Sequence, residues 1–501
     1  MNIQKQGIRV GWAAGDVTPA QPCNLCGQFH VRISTHVQDP VTATALALES
    51  ADGRQRAIVM SLDAVVVADS VRERFDRQLA ARLPEVPPES VLISATHTHT
   101  APSQPRFFVY AEPGGDVITG EAYGEFLARR LVEVASEAWA RRALGAVAWG
   151  YGQAVIGYNR RAVYRDGAAV MYGATNDPLF SHMEGHENHG VDLLFTYGPG
   201  RKLTGVLVNL ACPSQCTEGA NFVSADFWHE TRAALRQQLG ADVHVLAQCA
   251  AAGDQSPHLL LCQRAQERMF RLKGLLPETG GDFNMAQRTE FARRIAAAVA
   301  DVLPAAARDI RDEVEFVHTR SVLDVPCRRF TPADVRTCRE RIGYFEAVQK
   351  SLQQRGVEPL APAYSSACGQ MRYYQQALER HEAMQRGRST TLPVTIHALR
   401  IGDVALASNR FEYLLDFGDR IKARSPAVQT FVVQLAGEGS YLATERAERG
   451  GGYGAWFASA LVGSEGGQMI VEESLRLIDA FFAAGAPATA PVTSRSPAPQ
   501  S

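Results

Sequence analysis

Val91-Leu92-Ile93-Ser94-Ala95-Thr96-His97-Thr98-His99-Thr100 is the stretch on which the fold turns. Its first five residues are mostly apolar and partly β-branched, the pattern of a buried strand. That strand runs straight into a His-x-His pair. Side chains at i and i+2 of a strand point to one side, so His97 and His99 are expected to face one cleft. Ligands gather at the carboxyl ends of strands in α/β folds. A surface histidine pair has the same spacing, so the rest of the chain must decide.

Upstream, Gly7 to Ala14 reads as a strand. Val41 to Glu49 and Arg56 to Leu62 read as a hairpin around Asp52-Gly53. Val71 to Leu83 has the stripe of an amphipathic helix. Downstream, Glu121 to Ala143 is a long helix with Tyr123, Leu127, Leu131 and Trp139 on one face. Strands follow at Ala146 to Val155, Val191 to Thr196, Leu203 to Leu210 and Val243 to Gln248. A helix is expected over Phe227 to Leu239, and residues 174–190 read as a polar loop. Helix at Arg288 to Leu303 and strands at Val314 to Val325, Leu392 to Arg400 and Val404 to Ser408 continue the pattern, and Gly466 to Phe482 closes it as a helix. Strands alternating with helices at irregular spacing predict an α/β class with mixed β-sheets and surrounding helices, in a single large catalytic domain over 1–483. A charged helical insertion is expected on the periphery at about 328–392. The tail 484–501, rich in Ala, Pro, Ser and Thr, is expected to be disordered.

The 501 residues are 46% hydrophobic and 21% charged, an ordinary globular composition. Net charge is -2, which excludes the basic footprint of a nucleic-acid binder. No run reaches the roughly 18 apolar residues of a transmembrane helix, and the first residues lack the apolar core of a signal peptide. Nine cysteines, odd in number and scattered, fit a reducing cytoplasm better than a disulfide framework. Cys23-x-x-Cys26 and Cys212-x-x-x-Cys216 have ligand-like spacing, but unpaired core or loop thiols explain them more simply.

Further candidates for chemistry lie after strands. Gly253-Asp254-Gln255-Ser256-Pro257 follows the Val243 strand, echoes Gly15-Asp16-Val17-Thr18-Pro19, and reads as a capped turn. It is not a nucleophile elbow. Glu412 follows the Val404 strand, where it could bind metal or pair with an arginine. Tyr441 and Tyr453 flank the glycines 450–452, a pattern suited to a ligand-contacting loop.

Taken together, Thr96-His97-Thr98-His99, Asn159-Arg160, Gly253-Asp254-Gln255-Ser256-Pro257, Glu412, Tyr441 and Tyr453 resemble the neutral/alkaline, non-lysosomal ceramidases over roughly residues 7–483. The resemblance implies a zinc-dependent amidase with one Zn2+ per chain, bound by His97, Glu412 and Tyr441. It places His99, Arg160, Ser256 and Tyr453 around the scissile amide as catalytic residues. It implies a small-molecule N-acyl or lipid-like substrate and lipid metabolism. A homo-oligomer is compatible with it.

The chain departs from the family at one ligand. Ceramidases carry a histidine directly before a proline, whereas the matching stretch here is Val208-Asn209-Leu210-Ala211-Cys212-Pro213-Ser214-Gln215. Either Cys212 or Pro213 falls on that position. Cys212 thiolate, or His229, His182, His186 or His189 from elsewhere, are the candidates to replace it, and a changed or lost metal is the third alternative. Without the lipid-facing additions of secreted ceramidases, a cytoplasmic enzyme need not act on ceramide. Phe107, Phe108, Val109 and Tyr110 could line an apolar pocket or simply pack their loop. The expected activity is metal-dependent hydrolysis of an amide. A zinc-dependent ester or lactone hydrolase and a metal-free binding protein on the same fold are the alternatives.

Overall fold

A computed structural model describes residues 4–105, 113–388 and 390–483. Phe107 to Tyr110 and the tail from Ala484 lie outside them. Strand Gln6–Asp16 sits in the middle of a nine-stranded sheet. On one side follow Thr42–Ser50, Arg56–Leu62 and Val91–Ala95. On the other follow Ala143–Gln153, Gly190–Tyr197, Leu203–Leu210 and His244–Cys249. The inner pairs are antiparallel, but the pair at each end is parallel. A parallel neighbour demands a crossover, supplied by helices Asp69–Arg82 and Phe227–Leu239. A second sheet, Phe316–Pro326, Thr391–Ile401, Val404–Ser408 and Gln429–Val433, follows the same plan, with helix Leu415–Arg424 before its parallel edge strand.

The two-residue period of the strands explains how the layers stack. In Thr42–Ser50, Ala43, Ala45 and Ala47 pack under Val71, Phe75, Leu127 and Leu131 of two helices. Leu46 and Leu48 of the same strand face the other way, onto Leu399, Leu406 and Phe431 of the second sheet. That sheet's far side, with Ile396, Ala398 and Ala405, is covered by Phe417, Ile470 and Ile478. The order is helix, sheet, sheet, helix, an α/β fold with mixed sheets. Leu46 and Leu48 are fully buried between the sheets, and truncating either to alanine costs about 2–5 kcal/mol.

Helices Pro332–Gln354 and Pro362–Gln385 form the expected helical pair. They are not merely peripheral. Ser365 Oγ accepts from the Val31 amide at 3.1 Å, and the Tyr373 ring lies 6.4 Å from that of Tyr453. The stretch 174–190, read as a loop, contains the short strand Phe180–Met183. Helix Leu415–Arg424 and strand Gln429–Val433 were not legible in advance. No helix among the described residues is long and apolar enough to cross a membrane.

The parallel edges bring their carboxyl ends together. Ala95 N donates to Leu435 O at 3.2 Å, and Gln434 N to Cys249 O at 3.1 Å. The loops after Val91–Ala95, His244–Cys249 and Gln429–Val433 therefore leave from one region.

Candidate active site

The opening strand ends at Ala95, so strand alternation is not what pairs the two histidines. His97 adopts φ 66°, in the left-handed region, which is costly for a side-chain-bearing residue and clusters at functional sites. The kink turns the rings together, Nε2 to Nε2 at 3.4 Å with centroids 4.9 Å apart. Neighbours hold it in place. Thr98 and Thr100 hydroxyls donate to Ser224 O at 2.9 and 3.0 Å, and Thr96 Oγ1 donates to Asp63 at 3.3 Å. Asp63 is itself gripped by both Nη atoms of buried Arg232, at 2.7 and 2.9 Å. Beneath His99 lies Gly27 at φ 99°, where a Cβ would come within 2.5 Å of the imidazole Nδ1.

Glu412 and Tyr441 arrive side by side because Glu412–Tyr413 pairs in parallel with Tyr441–Leu442. Glu412 Oε2 lies 3.3 Å from His97 Nε2 and 3.8 Å from Arg160 Nη2. Arg160 is buried and donates to Gly253 O at 2.9 Å, Tyr172 Oη at 3.1 Å, and Tyr441 Oη and Gln215 Oε1 at 3.3 Å. Burial works to raise the Glu412 carboxyl but is outweighed by His97, Arg160 and Tyr441, which hold it below the usual range. Burial, then the Glu412 charge, push the Tyr441 phenol well up. Burial and then His97 hold His99 well below the ordinary histidine range, so its imidazole is neutral at pH 7.

Gln255–Ser256 pairs antiparallel with Tyr158–Asn159, which sets Ser256 beside Arg160. Ser256 Oγ shares a hydrogen bond with Tyr172 Oη at 3.1 Å and accepts from His258 N at 3.0 Å. No histidine side chain bonds it among these contacts, as a serine nucleophile would require. Asp254, expected to cap its own turn, instead accepts from Leu415 N at 3.0 Å, the first residue of another helix, and from Asn159 Nδ2 at 3.2 Å. Tyr453 is 41% exposed, its ring 5.4 Å from Tyr441 and 5.8 Å from Phe29.

Among the described residues, none of the candidates for the missing ligand hydrogen-bonds or ion-pairs with His97, Glu412 or Tyr441. Cys212 is buried but its thiol donates to Ile156 O at 3.3 Å, and burial pushes its pKa well up. His182, His186 and His229 are exposed. His182 and His186 bond Ser181 and Asp419, and His189 pairs with Glu187 at 3.3 Å. The residue of that stretch that does reach the site is Gln215, whose Nε2 lies 2.8 Å from His99 Nε2. Cys23, Cys26, Cys212 and Cys216 fall in three separate hydrophobic clusters, with all nine thiols free. Sequence reading did not single out Gln215, Tyr172, Arg161, Glu218 or His258. Gln215 alone had a signal, three residues after Cys212.

Among the described residues no three His, Cys, Asp or Glu side chains come together as a metal cluster. The donor set is His97 and Glu412 with the Tyr441 phenol. His97 Nδ1 is spent on Val65 O at 2.7 Å, the backing typical of a ligating histidine. Its Nε2 is thereby turned towards the Glu412 carboxylate. Two ligands each about 2.0–2.1 Å from a tetrahedral zinc lie ~3.3 Å from one another, which matches the 3.3 Å between His97 and Glu412. In kind and spacing these residues fit a divalent cation.

No family model matches the chain, and no curated protein matches it. Solved structures share its fold. The neutral ceramidase from Pseudomonas aeruginosa superposes with TM-score 0.64 at 17% identity, covering 95% of this chain and 75% of that one. A ceramidase complexed with C2 gives TM-score 0.64 at 16% identity, covering 98% and 78%. The likeness is one of fold, and it spans nearly the whole chain.

Proposed function

We propose that the chain is a metal-dependent hydrolase of an amide bond in an N-acyl substrate. The observation that carries this reading is the convergence of His97 Nε2 and the Glu412 carboxylate, 3.3 Å apart beside Tyr441 and Arg160, with His97 held from behind by Val65 O. The ceramidase fold supports it from outside the site.

His97, Glu412 and Tyr441 would hold the cation, zinc by the sequence resemblance. When bound it supplies a polarised carbonyl and a water whose pKa falls towards ~7. Arg160, fixed by its hydrogen bonds, keeps a positive charge where carbonyl oxygen develops negative charge. His99 stays neutral at pH 7, so its Nε2 can take a proton and pass it to the leaving nitrogen once substrate displaces the Gln215 amide. Ser256 and Tyr172 offer hydroxyls beside Arg160 for a substrate polar group. Phe29, Tyr373 and Tyr453 form an aromatic wall suited to an apolar or lipid-like chain.

The test is hydrolysis of a panel of N-acyl amides by the zinc-supplemented chain and by His97→Ala. The reading expects at least one amide to be cleaved and the variant to lose that activity. Equal cleavage by the variant would place the chemistry elsewhere. Cleavage of esters or lactones alone would favour the ester-hydrolase alternative on the same residues.

A further inference from the structure

One short turn grips both ring nitrogens of His99. Gln215 lies at Nε2, 2.8 Å away, and Glu218 Oε2 faces Nδ1 at 3.6 Å. The turn is closed by Glu218 N donating to Gln215 O at 3.3 Å. The direction of the amide sets the tautomer. Gln215 Oε1 accepts from Arg160 Nη1, so its nitrogen end faces His99. An N–H there makes His99 Nε2 the acceptor and leaves the ring proton on Nδ1. That Nδ1 is buried and has no hydrogen-bond partner among the described residues. Glu218 is the carboxylate beside it. The other Glu218 oxygen faces His258 Nε2 at 3.4 Å. His258 is joined in turn to Ser256 through its backbone amide, and its ring stands edge-on to Tyr172. The cleft is therefore ringed by His99, Glu218, His258, Ser256, Tyr172 and Arg160.

We propose that Glu218 is the positioning residue of His99: it takes the Nδ1 proton as a hydrogen-bond acceptor, fixes the Nδ1–H tautomer and turns the Nε2 lone pair into the cleft, while His258 steadies the second carboxylate oxygen. The 3.6 Å separation closes to a hydrogen bond as the site fills, since catalytic hydrogen bonds tighten in the substrate complex. The tautomer stands on geometry alone. What the Nε2 lone pair then does rests on the amide-hydrolase reading.

Two readouts keep these apart. The first needs no activity. In the full chain labelled with 15N-histidine, long-range 1H–15N correlations, assigned by loss of the signal in His99→Gln, should show His99 as the Nδ1–H tautomer. Glu218→Leu should shift it to a mixture with Nε2–H. The second is kinetic, with octanoyl ethanolamide and p-nitrophenyl octanoate as probes. Glu218→Leu should lower kcat on the amide by about 100-fold with KM little changed. The ester, whose leaving group needs no proton, should be little affected. Glu218→Gln, which keeps an acceptor without the charge, should fall between and guards against misfolding of the leucine variant. An Nε2–H tautomer in the unaltered chain overturns the proposal, as does an equal loss on both probes. The predicted tautomer in a chain that cleaves neither probe leaves the positioning role standing and counts against the hydrolase reading.

Discussion

Arg161 is the residue beside the site whose loss should separate stability from activity. It is buried and pairs with buried Glu184, Nε to Oε2 at 2.6 Å and Nη2 to Oε1 at 3.0 Å. Its remaining donors hold the glycine-rich loop: Nη2 reaches Gly451 O at 2.8 Å and Ala447 O at 3.3 Å, and Nη1 reaches Tyr453 O at 3.1 Å. Arg161→Met removes the cation and leaves a buried carboxylate unpaired, a change that costs about 3–5 kcal/mol. The three loop carbonyls add little beyond that, because the loop can open to water. Arg161→Met/Glu184→Leu removes the uncompensated charge as well and should recover most of the stability. It should not recover activity, because the segment that carries Tyr453 has then lost its bonds to Arg161 and is held only from its far side, by Arg328 on Ala455 O and Ser459 on Gly454 N. Urea unfolding followed by tryptophan fluorescence reads the first quantity, with Trp456 beside Gly451 as a local reporter. Steady-state amide hydrolysis reads the second. A loss below about 1 kcal/mol in Arg161→Met would refute the reasoning, as would a double variant that regains both stability and turnover.

Three further outcomes are expected. Gly27→Ala places a methyl against His99 Nδ1 at a backbone φ of 99°, so kcat should fall by more than about tenfold with zinc content unchanged; retained turnover would mean that His99 is not where it acts. Cys212→Ala should cost about 1 kcal/mol and leave metal content intact, since its thiol bonds Ile156 O away from Glu412; loss of metal on elemental analysis would show that the donor set is wrong. Stability should fall on acidification from about pH 6.5 towards 4. Burial lowers His318 to about 4 and also holds His397 well below its ordinary value. Between the two pKa values the unfolded chain binds protons that the folded one does not. The His318 contribution lost by pH 4 is about 3 kcal/mol, and a flat urea midpoint over that range, or an unchanged slope in His318→Phe, would contradict it.

An element is legible in the sequence to the extent that its signal is local. Leu203–Leu210 and Phe227–Leu239 were legible to the residue because apolar periodicity is a local property. The face-to-face packing of two sheets was not, although Leu46 and Leu48 alternate with Ala45 and Ala47, since nothing in the strand names its partner. Helix Leu415–Arg424 was hidden in a short stretch between Glu412 and the Ser425-Pro426 break before Gln429. In the site, His97, Glu412, Tyr441 and Tyr453 were named through a family pattern, and the structure brings them into one cleft. What lay beyond reach was the means: a positive φ at His97, and partners such as Gln215 and Tyr172, more than fifty residues from the side chains they touch or on the far side of a loop. The direction of the buried Cys212 thiol, which bonds Ile156 O, is likewise something that sequence does not carry.

The most direct test of the central claim is the zinc bound per chain after dialysis against zinc-containing buffer, measured by elemental analysis for the unaltered protein and for His97→Ala. About one zinc per chain is expected, lost in the variant. No bound metal in the unaltered protein, or equal metal in both, would contradict it.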